Sequence, residues 1–455
     1  MQRQGSSHAR FVAIAGLALA CLLSGCEPRP ASGGATTGAS ATAASAPTPD
    51  RAAVARALAL AKVEGSAPVD QEIRALQQSV ARMPQKTDFW IALGQKWVRK
   101  ARETTDPGFY RSARACAEVA LDLEPGYRLA LDLQSLVLLN DHQFAQAADL
   151  ARDVLRTTPD DILALGTLSD AALEMGRFDE AAEAAQKMND LKPGLPSYAR
   201  GSYLRWLRGD TQQAKVIIRQ AMDAKDPKDP EPTAWVLTQA ALIFWHEGDY
   251  EGAEKGFDQA LAAVKDYPPA LVGKARCALG LGDPARAASL LAKAHAESPL
   301  VETAWLLGDA KEAAGDAKGA EEAFALVVKH GRQIDPRTLA LFYATKDRDV
   351  DEALRLLEAE KKVRDDLYTE DALGWALYRR GRLAEARAAS ERALALGTKD
   401  ARLLYHAGAI KLASGDKAGG EKLVREALKL NPAFDRTGAA EAGKLVGHET
   451  RARAR

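Results

Sequence analysis

Small residues recur along this chain like graduations on a ruler. Ala147, Ala181, Ala214, Ala253, Ala287, Ala320, Ala353, Ala386 and Gly420 are separated by steps of 34, 33, 39, 34, 33, 33, 33 and 34 residues. A period of this size belongs to arrays of short helical units. One such unit is too small to bury its apolar face, so successive copies must stack. Glycines mark where the first helix of a copy stops: Gly176, Gly209, Gly248, Gly282, Gly315, Gly381 and Gly415. Glycine tolerates the positive φ that ends a helix, so each acts as a stop signal. Between the stops, apolar residues return at three- and four-residue steps, as from Leu373 through Leu377 to Leu383 and Ala386. That is the pattern of amphipathic helices. No segment alternates as a strand does, and the expected fold class is all-α.

The order Trp90-x2-Leu93-Gly94-x2-Trp97, then Ala113-x3-Ala117 and Pro125, repeats its proline at Pro159 and Pro193. This resembles the tetratricopeptide repeat family. The resemblance implies a right-handed α-solenoid of about 10–11 helical hairpins. Ten copies are expected between residues 87 and 432, with a degenerate eleventh at 53–86, so that the array spans 51–432. An insertion from Glu103 to Phe109 lengthens the first turn, and the proline-rich stretch 226–232 is either a surface loop or a hinge. Residues 433–455 are expected to supply a capping helix and a frayed tail.

The first 25 residues look like a processing signal. Arg3 and Arg10 precede an apolar run from Phe11 to Leu23, which falls short of the about 20 residues a membrane-spanning helix needs. The sequence Leu23-Ser24-Gly25-Cys26 then resembles a bacterial lipobox, which implies that Cys26 carries a diacylglyceryl group and begins the mature chain. Glu27 is not the aspartate that retains such proteins in the inner membrane of enteric bacteria, so the outer membrane is favoured. Residues 26–50, rich in Ala, Ser, Thr, Gly and Pro, cannot bury enough surface to order themselves and form a tether with a reach of roughly 25–30 Å.

The 62 basic and 62 acidic residues balance, which gives no general attraction to nucleic acid. The sequence holds no HExxH, paired CxxC, GxxxxGK[ST] or G-x-S-x-G motif, and His142, His246, His295, His330, His406 and His448 are scattered over different repeats. No enzymatic activity, cofactor or metal is expected. Cys116 and Cys277 stand several repeats apart and should fill small packing positions.

In the resembling family the first helix of each hairpin faces the concave groove. Aligning the registers on the glycines places Tyr203, Trp206, Trp235, Trp245, His246, Trp305, Phe342, Tyr368, Trp375 and Tyr405 on that face. Arg200, Arg276, Asp309, Asp371 and Arg402 fall on it as well. The alternative is that a shift of one residue turns several rings into the hairpin core. Trp90 and Trp97 occupy core signature positions. The Lys and Asn pair with which Hsp90 co-chaperones clamp a carboxylate is missing. Aromatic rings carry much of the energy at interfaces. The function expected is a non-enzymatic scaffold or assembly factor of the cell envelope, binding peptides or partner proteins in this groove. The alternative is a carbohydrate-associated role in polysaccharide export. If Cys26 is the lipid site, a Cys26→Ser protein will leave the membrane fraction on cell fractionation; an unchanged distribution refutes the anchor.

Overall fold

All seven punctuating glycines lie in turns between helices with positive φ, from +72° at Gly176 to +89° at Gly415. Three hairpins lack the glycine, and there Thr105 (φ +52°), His142 (φ +57°) and Asp347 (φ +52°) adopt a left-handed conformation. After most of these turns an aspartate starts the next helix: Asp210, Asp249, Asp283, Asp316, Asp349 and Asp416 each accept the N–H three residues on. In this computed structural model, which describes residues 50–226 and 228–447, the described residues form 23 α-helices and no strand.

The first two helices are α1 (Arg51–Ala59) and α2 (Pro68–Arg82). Ten hairpins follow, beginning with α3 (Thr87–Thr104) and α4 (Phe109–Leu123), α5 (Arg128–Asn140) and α6 (Phe144–Thr157), α7 (Ile162–Glu174) and α8 (Phe178–Leu191). Next come α9 (Leu195–Leu207) and α10 (Thr211–Asp223), α11 (Pro230–His246) and α12 (Tyr250–Ala263), α13 (Pro268–Gly280) and α14 (Pro284–Glu297). The last four pairs are α15 (Val301–Ala313) and α16 (Ala317–Ile334), α17 (Pro336–Thr345) and α18 (Val350–Glu360), α19 (Leu367–Arg379) and α20 (Leu383–Ala393), and α21 (Ala401–Ala413) and α22 (Lys417–Leu430). Helix α23 (Arg436–Leu445) packs on the final pair as a cap.

The periodic alanines are at most 2% exposed, each pressing its second helix onto the first. The same position is glycine at Gly420, where a Cβ would overlap Leu412 and the Gly408 carbonyl. Trp90 and Trp97 are core residues, as are the unpaired thiols Cys116 and Cys277. The expected eleventh hairpin is different from the rest. Helix α1 lies against α4 and α2 against α3, and the Trp97 indole N–H donates to the Ala59 carbonyl at 3.0 Å. The signal segment, Cys26, the tether up to residue 49, Pro227, His448 and the arginine tail lie outside the described residues.

A repeat array usually touches only its neighbours. Here it also touches itself one superhelical turn later. The turns of the third, fourth and fifth hairpins meet the segments that enter the ninth hairpin, the tenth hairpin and the cap. At the first contact the Asp365 N–H donates to the Glu174 carbonyl at 3.0 Å, and the Arg364 guanidinium, 1% exposed, pairs with the Glu174 carboxylate at 2.8 Å. At the second, a Cβ on Gly209 would overlap the Gly397 carbonyl oxygen. At the third, Asn431 is fully buried. It accepts from the Tyr250 hydroxyl at 2.6 Å and donates to the Trp245 carbonyl at 2.8 Å.

Gly209 and Gly315 have similar φ, +72° and +86°, but nothing lies near Gly315. An alanine at either site incurs the left-handed penalty of about 1 kcal/mol. Gly209→Ala should therefore cost a further ~1–3 kcal/mol in urea unfolding through overpacking of the inter-turn contact. Equal losses for Gly209→Ala and Gly315→Ala would remove that contact from the account.

Candidate functional site

Contact between turns narrows the concave face to a partly enclosed cavity of about 200 Å³. A second lobe of about 350 Å³ adjoins it, and Trp245, Arg276, Glu302, Arg402 and Phe434 border both. The walls come almost wholly from the first helices of hairpins four to ten. On α11 the lining residues Trp235, Gln239, Leu242 and His246 follow steps of four, three and four, which is one stripe of a helix. On α9 the stripe is Ala199, Ser202, Tyr203 and Trp206.

The rings form a connected group. Tyr203 stacks on Trp206 with centroids 6.0 Å apart, and the His246 ring lies 4.6 Å from Trp206 and 4.9 Å from Trp245. The Arg276 guanidinium sits over the Trp245 ring at 5.0 Å and pairs with Glu302. Arg337 holds the Asp366 carboxylate at 2.8 Å, while Arg402 lies 3.9 Å from Asp371. Each guanidinium thus faces a carboxylate, and the cavity wall is close to neutral.

Burial dominates the titrations. It pushes His246 down to about 4, although Asp400, 3.8 Å from its Nδ1, pulls the other way. It raises Glu302 above the usual carboxylate range despite Arg276 and Arg402. Asp309 is pushed up to about 6 by burial, against the pull of the Lys346 ammonium at 2.7 Å.

Of the residues placed on the groove face by sequence, the structure gathers Tyr203, Trp206, Trp235, Trp245, His246, Tyr368, Arg276 and Arg402 around the first lobe. Trp305 and Asp309 line the second. Five expectations need correction. Phe342, Trp375 and Tyr405 are at most 2% exposed and belong to the hairpin core, with Trp375 stacked on His406 at 4.1 Å. Arg200 is spent on a buried pair with Asp170 at 2.6 Å, and Asp371 is buried against His406 at 2.9 Å. For the three rings the physical reason is the inward crowding of hairpins eight to ten, where the helices close around them; Arg200 and Asp371 are drawn off the face by the buried groups they pair with. The face is a partly enclosed cavity rather than a flat trough. The sequence reading did not single out Gln239, Glu302, Arg337, Asp400 and Phe434. Gln239 lies on the α11 stripe, four residues after Trp235, and helical spacing alone places it there. Asp400 and Phe434 arrive from loops whose position depends on the inter-turn contacts.

Residues 138–201 and 244–291 match the family model described as Tetratricopeptide repeat. Over 197 residues the chain is 28% identical to the Cellulose synthase 2 operon protein C of Komagataeibacter xylinus, covering 43% of this chain and 15% of that protein. Over 183 residues it is 27% identical to the Cellulose synthase operon protein C of Pseudomonas fluorescens, covering 38% and 14%. The chain thus spans only a small part of the length of these relatives. Among solved structures, the type IV pilus biogenesis factor PilW aligns over 46% of this chain and 96% of its own, at 19% identity and a TM-score of 0.39.

His246, held near 4 rather than at an ordinary 6.5, is neutral at pH 7 and remains so well into the acid range. Its contribution to stability is complete above about 6.5, where the unfolded imidazole is also neutral. That contribution is lost as pH falls from there towards 4. A histidine NMR titration should give His246 a midpoint below 5, and a His246→Gln protein should lose less stability between pH 6.5 and 4. A midpoint near 6.5 would contradict the buried, neutral assignment.

Proposed function

We propose that this protein, a member of the tetratricopeptide-repeat family, is a scaffold subunit of a bacterial envelope assembly that makes or exports polysaccharide. A general interaction role follows from the repeat architecture, since arrays of this kind present long surfaces to partners. The observation that carries the finer reading is the similarity, over about two-fifths of the chain, to two proteins of cellulose synthase operons. In this reading Cys26 carries a lipid that ties the array to the outer membrane, facing the periplasm, and residues 26–50 hold it off the surface.

The cavity geometry changes where protein partners would sit. The space divides into two lobes that meet at Trp245, Arg276, Glu302, Arg402 and Phe434, a shape that suits small linked groups better than a continuous helix about 10–12 Å across. Partner proteins are therefore assigned to the outer faces of the hairpins. A carbohydrate-associated role is favoured over a pure peptide groove by both the cavity and the relatives.

Photo-cross-linking in intact envelopes tests this. A cross-linking residue at the exposed outer positions Val216 or Val328, 50% and 41% exposed, should capture a subunit of a polysaccharide synthase or exporter. The same residue at Trp206 should capture no protein. Adducts confined to an unrelated assembly, or protein adducts at Trp206, would overturn the proposal.

A further inference from the structure

We infer that the axial cavity is a binding site for a neutral saccharide, with one pyranose ring in the first lobe and a second ring in the adjoining one. This deepens the preceding reading and rests on it for the choice of saccharide among neutral amphiphiles. The site itself rests on the geometry alone.

Unanswered donors are the first observation. Among the described residues, the indole N–H groups of Trp245 and Trp305 and the Nε–H groups of Arg276 and Arg402 are buried and have no hydrogen-bond acceptor. Trp245 and Trp305 are only 5% and 7% exposed, and both border the lobes. Buried donors are nearly always satisfied in folded proteins, and leaving them unanswered is costly. A ligand that fills this space must bring acceptors. Hydroxyl oxygens do so, and hydroxyl hydrogens can return a bond to Glu302 or Asp400 on the same wall.

The second observation is the platform. Tyr203, Trp235 and Tyr368 are partly exposed on the first lobe, with Tyr203 backed by the buried Trp206 ring. A pyranose whose hydroxyls are equatorial has flat C–H faces that lie on such rings, with its oxygens at the rim. The third is charge. Arg276 faces Glu302, Arg337 faces Asp366, and Arg402 faces Asp371. An anionic ligand such as a phosphate or uronate would meet cations whose charge is already balanced, and would be desolvated without compensation. An aliphatic ligand would leave the four donors unanswered. A neutral polyol with apolar faces is the class that answers both demands. Two lobes joined at Trp245, Arg276 and Glu302 fit two linked rings better than one.

The test is titration of the purified full-length protein with cellobiose and cellotetraose, followed by calorimetry and tryptophan fluorescence, with a diuronate as the charged control. Saturable binding of the neutral sugars with a shift in tryptophan emission is expected. Arg402→Gln and Trp235→Ala should each weaken it by about tenfold, with unchanged circular dichroism and melting. Both residues are partly exposed, which favours intact folding of the variants. A third variant, Arg276→Gln, covers the case in which one of them fails to fold. The inference is overturned if neither neutral sugar binds, if the diuronate binds more tightly, or if the folded variants bind as the parent does. Protein cross-links at the outer face without sugar binding would sink this inference and leave the scaffold reading standing. Sugar binding without such cross-links would do the reverse.

Discussion

Contact between successive turns of the superhelix is the constraint on which the site depends. A stack of hairpins could leave its first helices facing open solvent. Here the glycine turns of hairpins three to five are pressed against segments that follow about 185 residues later, through Arg364, Gly397 and Asn431. Once those contacts form, the inward faces of seven hairpins partly enclose a space instead of lining a trough. Aromatic rings that would be costly to hydrate then share a wall with paired charges. Asn431 illustrates the economy: one buried amide answers a hydroxyl and a helix-terminal carbonyl from a hairpin far away in sequence.

Much of the fold could be read before the structure, and for local reasons. A small residue is required wherever two helices of one hairpin approach, and a positive φ wherever the first helix stops. Both demands fall on single positions, so they leave a period in the sequence. The inward register was also legible on α9 and α11, where an aromatic stripe at helical spacing lines the cavity. It failed at Phe342, Trp375 and Tyr405, since an inward-pointing ring and a core ring differ only in how tightly the neighbouring helices close. The contacts made by Arg364, Asp365 and Asn431 lie in loops, carry no period, and pair with residues on another turn. Nothing local distinguishes such a residue from an ordinary loop position.

The first pair of helices makes the same point from the other end. Its spacing fits another hairpin, yet α1 crosses to α4 and offers the Ala59 carbonyl to Trp97. Among the described residues no hairpin precedes it, and α1 covers the apolar edge of the first hairpin by lying on α4. Spacing specifies helices; the partner of a terminal helix is decided by which surface remains uncovered.

The three inter-turn contacts also set the mechanical character of the molecule. An open solenoid stretches as a soft spring, since each joint yields a little and independently. A coil whose turns are fastened at Glu174, Gly209 and Asn431 cannot lengthen until those fastenings shear. Under load it resists and then gives way abruptly, as a clasped bracelet does, and until then its interior keeps its shape.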